Sequence, residues 1–132
     1  MLCIDTSAMI AFLEGKTGRD VELVDQALLD QVGAFSPVAV TELLSDPKLP
    51  PSVKNIILEI PVLPITEGFW ERAGLLRAKL IHRKHKAKLA DTLIAQTCLD
   101  HHVPLVTRDN DFAHFIKVSA LKVFLEPTPK GR

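Results

Sequence analysis

The chain has 132 residues, 47% of them hydrophobic, with 16 basic and 16 acidic side chains and a net charge of zero. That is enough apolar material for one domain with a real core, and it excludes a wholly disordered chain. The apolar runs are too short to span a bilayer. The zero net charge gives no argument for strong nonspecific nucleic-acid binding.

Short apolar runs alternate with longer amphipathic ones, which predicts βαβ units around a parallel sheet, an α/β fold. Residues 1–5 read as a first strand, with Thr6 or Ser7 capping a helix that runs to about Glu14. Because the strand begins at Met1 and ends on Asp5, a cleavable signal peptide is not expected. Val21, Val24, Leu28 and Val32 repeat at helical spacing, with Ala27 on the same side, and Gly33 to Ser36 suits a short strand. Ser36 and Pro37 start the next helix as cap and first-turn proline. Val53, Ile56, Ile57 and Ile60 predict another helix. Pro61 to Ile65 reads as a strand, placed at an edge by its prolines. Thr66 and Glu67 are expected to open a long helix reaching about His85, and a further helix begins near Asp91. A strand at Pro104 to Thr107, a short helix from Asp111 to Ile116 and a strand at Leu121 to Leu125 complete a single domain over residues 1–126. Residues 127–132 are expected to form a loose tail.

Two acids end predicted strands, Asp5 and Asp109, and two lie in first helical turns, Glu42 and Asp91. Parallel sheets bind ligands beyond the carboxyl ends of their strands, so these four can gather at one edge. Two carboxylates about 4 Å apart repel by roughly 4 kcal/mol at an effective dielectric near 20. The helix dipole favours such acids singly; gathered, they suit a hard divalent cation with oxygen ligands. A basic run from His82 to Lys88 precedes Asp91 and reads either as a solvated helix face or as a phosphate-contacting patch. Cys3 and Cys98 lie in apolar segments and read as reduced core residues of a cytoplasmic protein.

Four segments, in order, carry a family resemblance: Ile4-Asp5-Thr6-Ser7-Ala8, Ser36 through Leu44, Leu89 through Ala95, and Leu105 through Phe112. Together they resemble the motifs of PIN-domain ribonucleases, and the chain length is similar to that of VapC-type toxins of toxin–antitoxin pairs. The resemblance implies a three-layer α/β/α sandwich and an Mg²⁺-dependent endoribonuclease, with Mn²⁺ as a possible substitute. It implies catalytic roles for Asp5, Glu42, Asp91 and Asp109, with metal at Asp5, Asp91 and Asp109. Thr6, Ser7 and Thr107 would support the site, and Asp111 matches an extra acid that also suits the start of a short helix. Lys86, Lys88 and Arg108 are candidate RNA contacts. A homodimer and a cognate antitoxin are the implied protein partners, with no membrane.

Other readings are weaker. Gly15-Lys16-Thr17 echoes the end of a phosphate-binding loop, but its leading glycine position holds Ile10. His82 and His85 lack a third ligand for zinc, and Asp100 reads as a surface acid. A phosphoacceptor signalling domain would need adjacent acids after the first strand, where Thr6 follows Asp5. A catalytically silent PIN-fold module that binds RNA or protein is the remaining alternative.

Overall fold

The computed structural model describes residues 1–126; the expected tail at 127–132 lies outside them. In chain order the elements are β1 (Leu2–Ile4), α1 (Thr6–Leu13), α2 (Arg19–Leu29), β2 (Gly33–Ala34), α3 (Pro37–Leu44) and α4 (Pro51–Glu59). There follow α5 (Phe69–His82), α6 (Leu89–His101), β3 (Leu105–Thr107), a 3-10 turn (Asn110–Phe112), α7 (Ala113–Ile116) and β4 (Val123–Leu125).

The four strands form one parallel sheet in the order β2-β1-β3-β4. Alternation along the strands feeds two cores. Leu2, Ile4, Phe35 and Val106 point to one face, packed with Met9 of α1, Val24 of α2, Leu43 of α3 and Ile57 of α4. Cys3, Ala34 and Leu105 point to the other, packed with Leu80 of α5, Ile94 and Cys98 of α6, and Phe115 of α7. The result is the expected three-layer α/β/α sandwich. Cys3 and Cys98 are both buried and free, in the second core.

Chain order explains why one sheet edge becomes special. From β1 the chain proceeds to β2 on one side, and only later returns to β3 on the other. The carboxyl ends of β1 and β3 therefore flank the point where strand order reverses, the place where open α/β sheets accept ligands. Asp5 and Asp109 stand at those two ends.

Several local expectations change. The cap of α1 is Asp5 itself, whose side chain accepts from Ser7 N–H, so Thr6 is the first helical residue and neither Thr6 nor Ser7 is the cap. Ser36 caps α3 as expected, accepting from Ala39 N–H at 3.1 Å, with Pro37 in the first turn. The strand expected at Pro61 to Ile65 shrinks to a bridge between Val62 and Phe35. Phe35 N–H donates to Pro61 O at 2.9 Å and Leu63 N–H to Phe35 O at 2.8 Å, and the next donor of this parallel ladder would be Pro37, which has no N–H and already begins α3.

Helix α5 starts at Phe69, after Gly68 in the left-handed region at φ 80°. Thr66 and Glu67 belong instead to a turn held by Arg72, which donates to Thr66 Oγ1 and Glu67 O. The same arginine pairs with Asp100 at 2.7 Å. Asp100 also accepts from Gln96 and Thr66, so it is a nearly buried staple between α5 and α6 and not a surface acid.

Candidate metal centre

Asp5 is buried, and its Oδ2 gathers hydroxyl donors from both sides of the strand-order reversal. Ser7 Oγ donates at 2.6 Å and Thr107 Oγ1 at 2.7 Å. Both hydroxyl protons are thereby directed to Asp5, so the 3.1 Å separation of the two hydroxyl oxygens is proximity and not a further bond. Each hydroxyl also accepts: Ser7 Oγ from Arg108 N–H at 3.0 Å, and Thr107 Oγ1 from Asp109 N–H at 3.0 Å. This cage fastens the end of β1 to the turn after β3. Burial nonetheless raises the Asp5 pKa; the hydrogen bonds from Ser7 and Thr107 oppose it without cancelling it.

Beside the cage lies a different group of acids. Asp91, Asp109 and Asp111 each offer a carboxylate oxygen, and the three oxygens lie within 4.8 Å of one another. Asp91 comes from the first turn of α6, Asp109 caps the 3-10 turn by accepting from Asp111 N–H at 2.9 Å, and Asp111 lies within that turn. Asp91 is pushed up to about 7, by desolvation first and then by the charges of Asp109, Asp5 and Asp111, while Lys88 opposes. Its Oδ2 is buried and has no hydrogen-bond partner among the described residues.

That orphaned oxygen tests whether a cation fits. A buried acceptor without a donor costs roughly 1–3 kcal/mol, and more when charged. Three carboxylates at this spacing also repel. A hard divalent cation removes both penalties with the oxygen ligands it prefers, so these residues fit such an ion.

The expected residues are not all in this triad. Asp111, expected only in support, is one of the three converging acids. Asp5 stands next to the triad with its Oδ2 held by hydroxyls, close enough for its charge to act on Asp91. Glu42, in α3, is exposed and accepts from Thr6 Oγ1 at 2.8 Å, which ties it to the start of α1. Lys86 and Lys88 both reach Asp111 Oδ2, at 3.5 and 3.4 Å.

Arg108 departs from the expectation. Its guanidinium forms a fork with Asp20, Nε to Oδ2 at 2.7 Å and Nη2 to Oδ1 at 2.8 Å, and Nη2 also donates to Thr17 O. These bonds turn it toward α2 and engage the Nε–Nη2 edge of the guanidinium. Its side chain thus anchors the site instead of lining it, while its backbone N–H belongs to the Asp5 cage. Asp20 escaped the sequence reading because an acid in a first helical turn is ordinarily explained by the helix dipole. Burial alone would raise its pKa, but the Arg108 bonds hold it below the ordinary carboxylate value. Gly18, at φ 147°, makes room for the pair: a Cβ there would meet Arg108 Nη2 and Asp20 Oδ1 at 2.7 Å and Glu126 Oε1 at 2.8 Å.

An α/β sandwich with converging acids where its strand order reverses is the class that fold and site define. The PIN domain family matches residues 2–118, and the chain belongs to that family. No curated protein sequence matches it. Among solved structures, it is similar to FitAcB from Neisseria gonorrhoeae, 22% identical at a TM-score of 0.68, covering 94% of this chain and 96% of that one. It is similar to DNA-bound VapBC from Salmonella typhimurium, 16% identical at a TM-score of 0.72, covering 94% and 96%. A toxin–antitoxin complex from Klebsiella pneumoniae is 25% identical at a TM-score of 0.63, covering 86% and 91%.

Proposed function

We infer that this protein is a divalent-metal-dependent endoribonuclease that hydrolyses RNA phosphodiester bonds, and the toxin of a toxin–antitoxin pair. The observation that carries the catalytic reading is the convergence of Asp91, Asp109 and Asp111 around the orphaned Asp91 Oδ2.

Asp91, Asp109 and Asp111 would hold Mg²⁺, or Mn²⁺ in its place. Such an ion supplies charge neutralisation at the phosphoryl oxygens and a more acidic attacking water. Asp5 keeps the two strand ends in register through Ser7 and Thr107, adding negative charge beside the triad. Glu42 is exposed and oriented by Thr6, so it can accept a proton from the attacking water. Lys86 and Lys88 reach the triad from an exposed loop and can meet the phosphates flanking the scissile bond.

The toxin reading draws support from the toxin–antitoxin complex from Klebsiella pneumoniae to which the chain is similar. A cognate antitoxin would silence the chain. A homodimer is also proposed, supported by the exposed Trp70, Leu75 and Ile81 of α5. A cytoplasmic setting suits the two free cysteines. No helix among the described residues is long and apolar enough to cross a membrane.

The decisive measurement is cleavage of labelled single-stranded RNA with Mg²⁺, with EDTA, and with the Asp5→Asn and Asp91→Asn variants. Cleavage should vanish with EDTA and fall by about 10²-fold or more in each folded variant. Cleavage that persists in EDTA or in Asp91→Asn overturns the reading.

A further inference from the structure

The two lysines at the triad share one oxygen with it. The Nζ atoms of Lys86 and Lys88 lie 3.5 and 3.4 Å from Asp111 Oδ2. Their backbone is fixed: Ala87 O, between them, accepts from Arg77 Nε at 2.9 Å, and Lys88 O accepts from both the N–H and the hydroxyl of Thr92. The same loop is fastened to α7 by the stack of His85 on His114, with ring centroids 4.8 Å apart. The lysine side chains, by contrast, are 59% and 54% exposed. Their ammonium groups can leave Asp111 without moving the chain. Lys88 is held above its ordinary pKa by Asp111 first, then by Asp91 and Asp109, so it responds to the whole triad.

A carboxylate oxygen that neutralises an ammonium group is less available to a cation, and the reverse. We propose that Lys86 and Lys88 are exchangeable counter-ions of the acid triad: a divalent cation displaces them from Asp111, and the freed ammonium groups take the phosphates of the RNA. The proposal rests on the metal-site reading above. It makes cation binding and RNA binding reciprocal, because each favours the same displaced position of the lysines. It also gives the loop a role that plain solvation does not.

The test begins with calorimetric titration of Mn²⁺ into the protein without RNA. Lys86→Met/Lys88→Met should bind Mn²⁺ about two- to tenfold more tightly than the wild type, as expected for losing two exposed competing pairs. Lys84→Met should leave the affinity near that of the wild type, since Lys84 belongs to the same basic run but has no ion pair among the described residues. A second measurement uses the Asp5→Asn background, in which cleavage is expected to be about 10²-fold or more slower. There, Mn²⁺ should raise the affinity for a labelled single-stranded RNA more with both lysines present than with both replaced. Equal or weaker Mn²⁺ binding by the double variant, an equal rise in Lys84→Met, or equal gains in RNA affinity would overturn the exchange and leave the metal site standing. Failure of both the wild type and the lysine variant to bind Mn²⁺ would overturn the metal site as well.

Discussion

Asp5 and Asp91 are neighbouring carboxylates with raised pKa values and opposite surroundings. Asp5 is the more buried, yet its Oδ2 accepts two hydroxyl protons and is built into the joint between β1 and the turn after β3. Asp91 is less buried, yet its Oδ2 has no hydrogen-bond partner among the described residues and its near neighbours include three other acids. Burial alone therefore does not tell which acid lacks a donor. What separates them is whether hydrogen-bond donors of the protein answer the charge. One acid is built into the joint by donors; the other has a carboxylate oxygen without a donor among the described residues, and only Lys88 opposes the acids around it.

This contrast can be broken from either end. The largest effect is expected at the clamp behind the caged side. Asp20→Asn leaves the Arg108 guanidinium with only Glu126 as a nearby countercharge, and removing one partner of such a pair costs about 3–5 kcal/mol; urea unfolding should show the lower end of that range, because Arg108 is 28% exposed. Next comes Thr107→Val, which removes one donor to Asp5 and strands the Asp109 N–H. A loss of about 1–3 kcal/mol is expected by the same measurement. An unchanged midpoint would mean that the cage is not a structural joint.

The open side should respond with the opposite sign. The folded-state pKa of Asp91, about 7, lies above its ordinary 3.8. Its protonated form therefore supports folding fully below pH 3.8, and that support is lost as pH rises through about 7. Without metal, Asp91→Asn should raise the Tm by about 2–5 °C at pH 8 and hardly at all at pH 4. A fall in Tm at pH 8 would show that the carboxylate is answered after all. The gentlest probe is the pH dependence of Mn²⁺ binding: below about pH 7 the Asp91 proton must leave, so affinity should drop by up to about tenfold per pH unit.

Much of the fold was legible because its signals are local. The β–α alternation, the Ser36-Pro37 start of α3 and the acids ending β1 and β3 each show within a few residues. What failed depended on distant partners. Pro61 to Ile65 has the composition of a strand, but its partner segment turns into α3 at Pro37 and leaves it one bridge. Thr66 looks like a helix start until Arg72 and Asp100 hold it in a turn. Arg108 beside Asp109 resembles a phosphate contact, and only the folded chain brings Asp20 against it from 88 residues away in sequence. The triad was half legible: Asp91 and Asp109 by topology and resemblance, and Asp111 as a ligand only once the 3-10 turn placed it with them.

Gly18 carries a consequence for how this sequence can drift. The three atoms nearest its would-be Cβ belong to Arg108, Asp20 and Glu126 and not to a triad acid, so charged side chains occupy the space a larger residue would need. In a saturation library selected for folded protein, position 18 should tolerate almost no replacement, while Gly15, with nothing within 4 Å of its would-be Cβ, should accept asparagine despite its positive φ. The least replaceable position in that loop would then be one with no side chain, constrained by its backbone at φ 147° and by the charged groups packed against it.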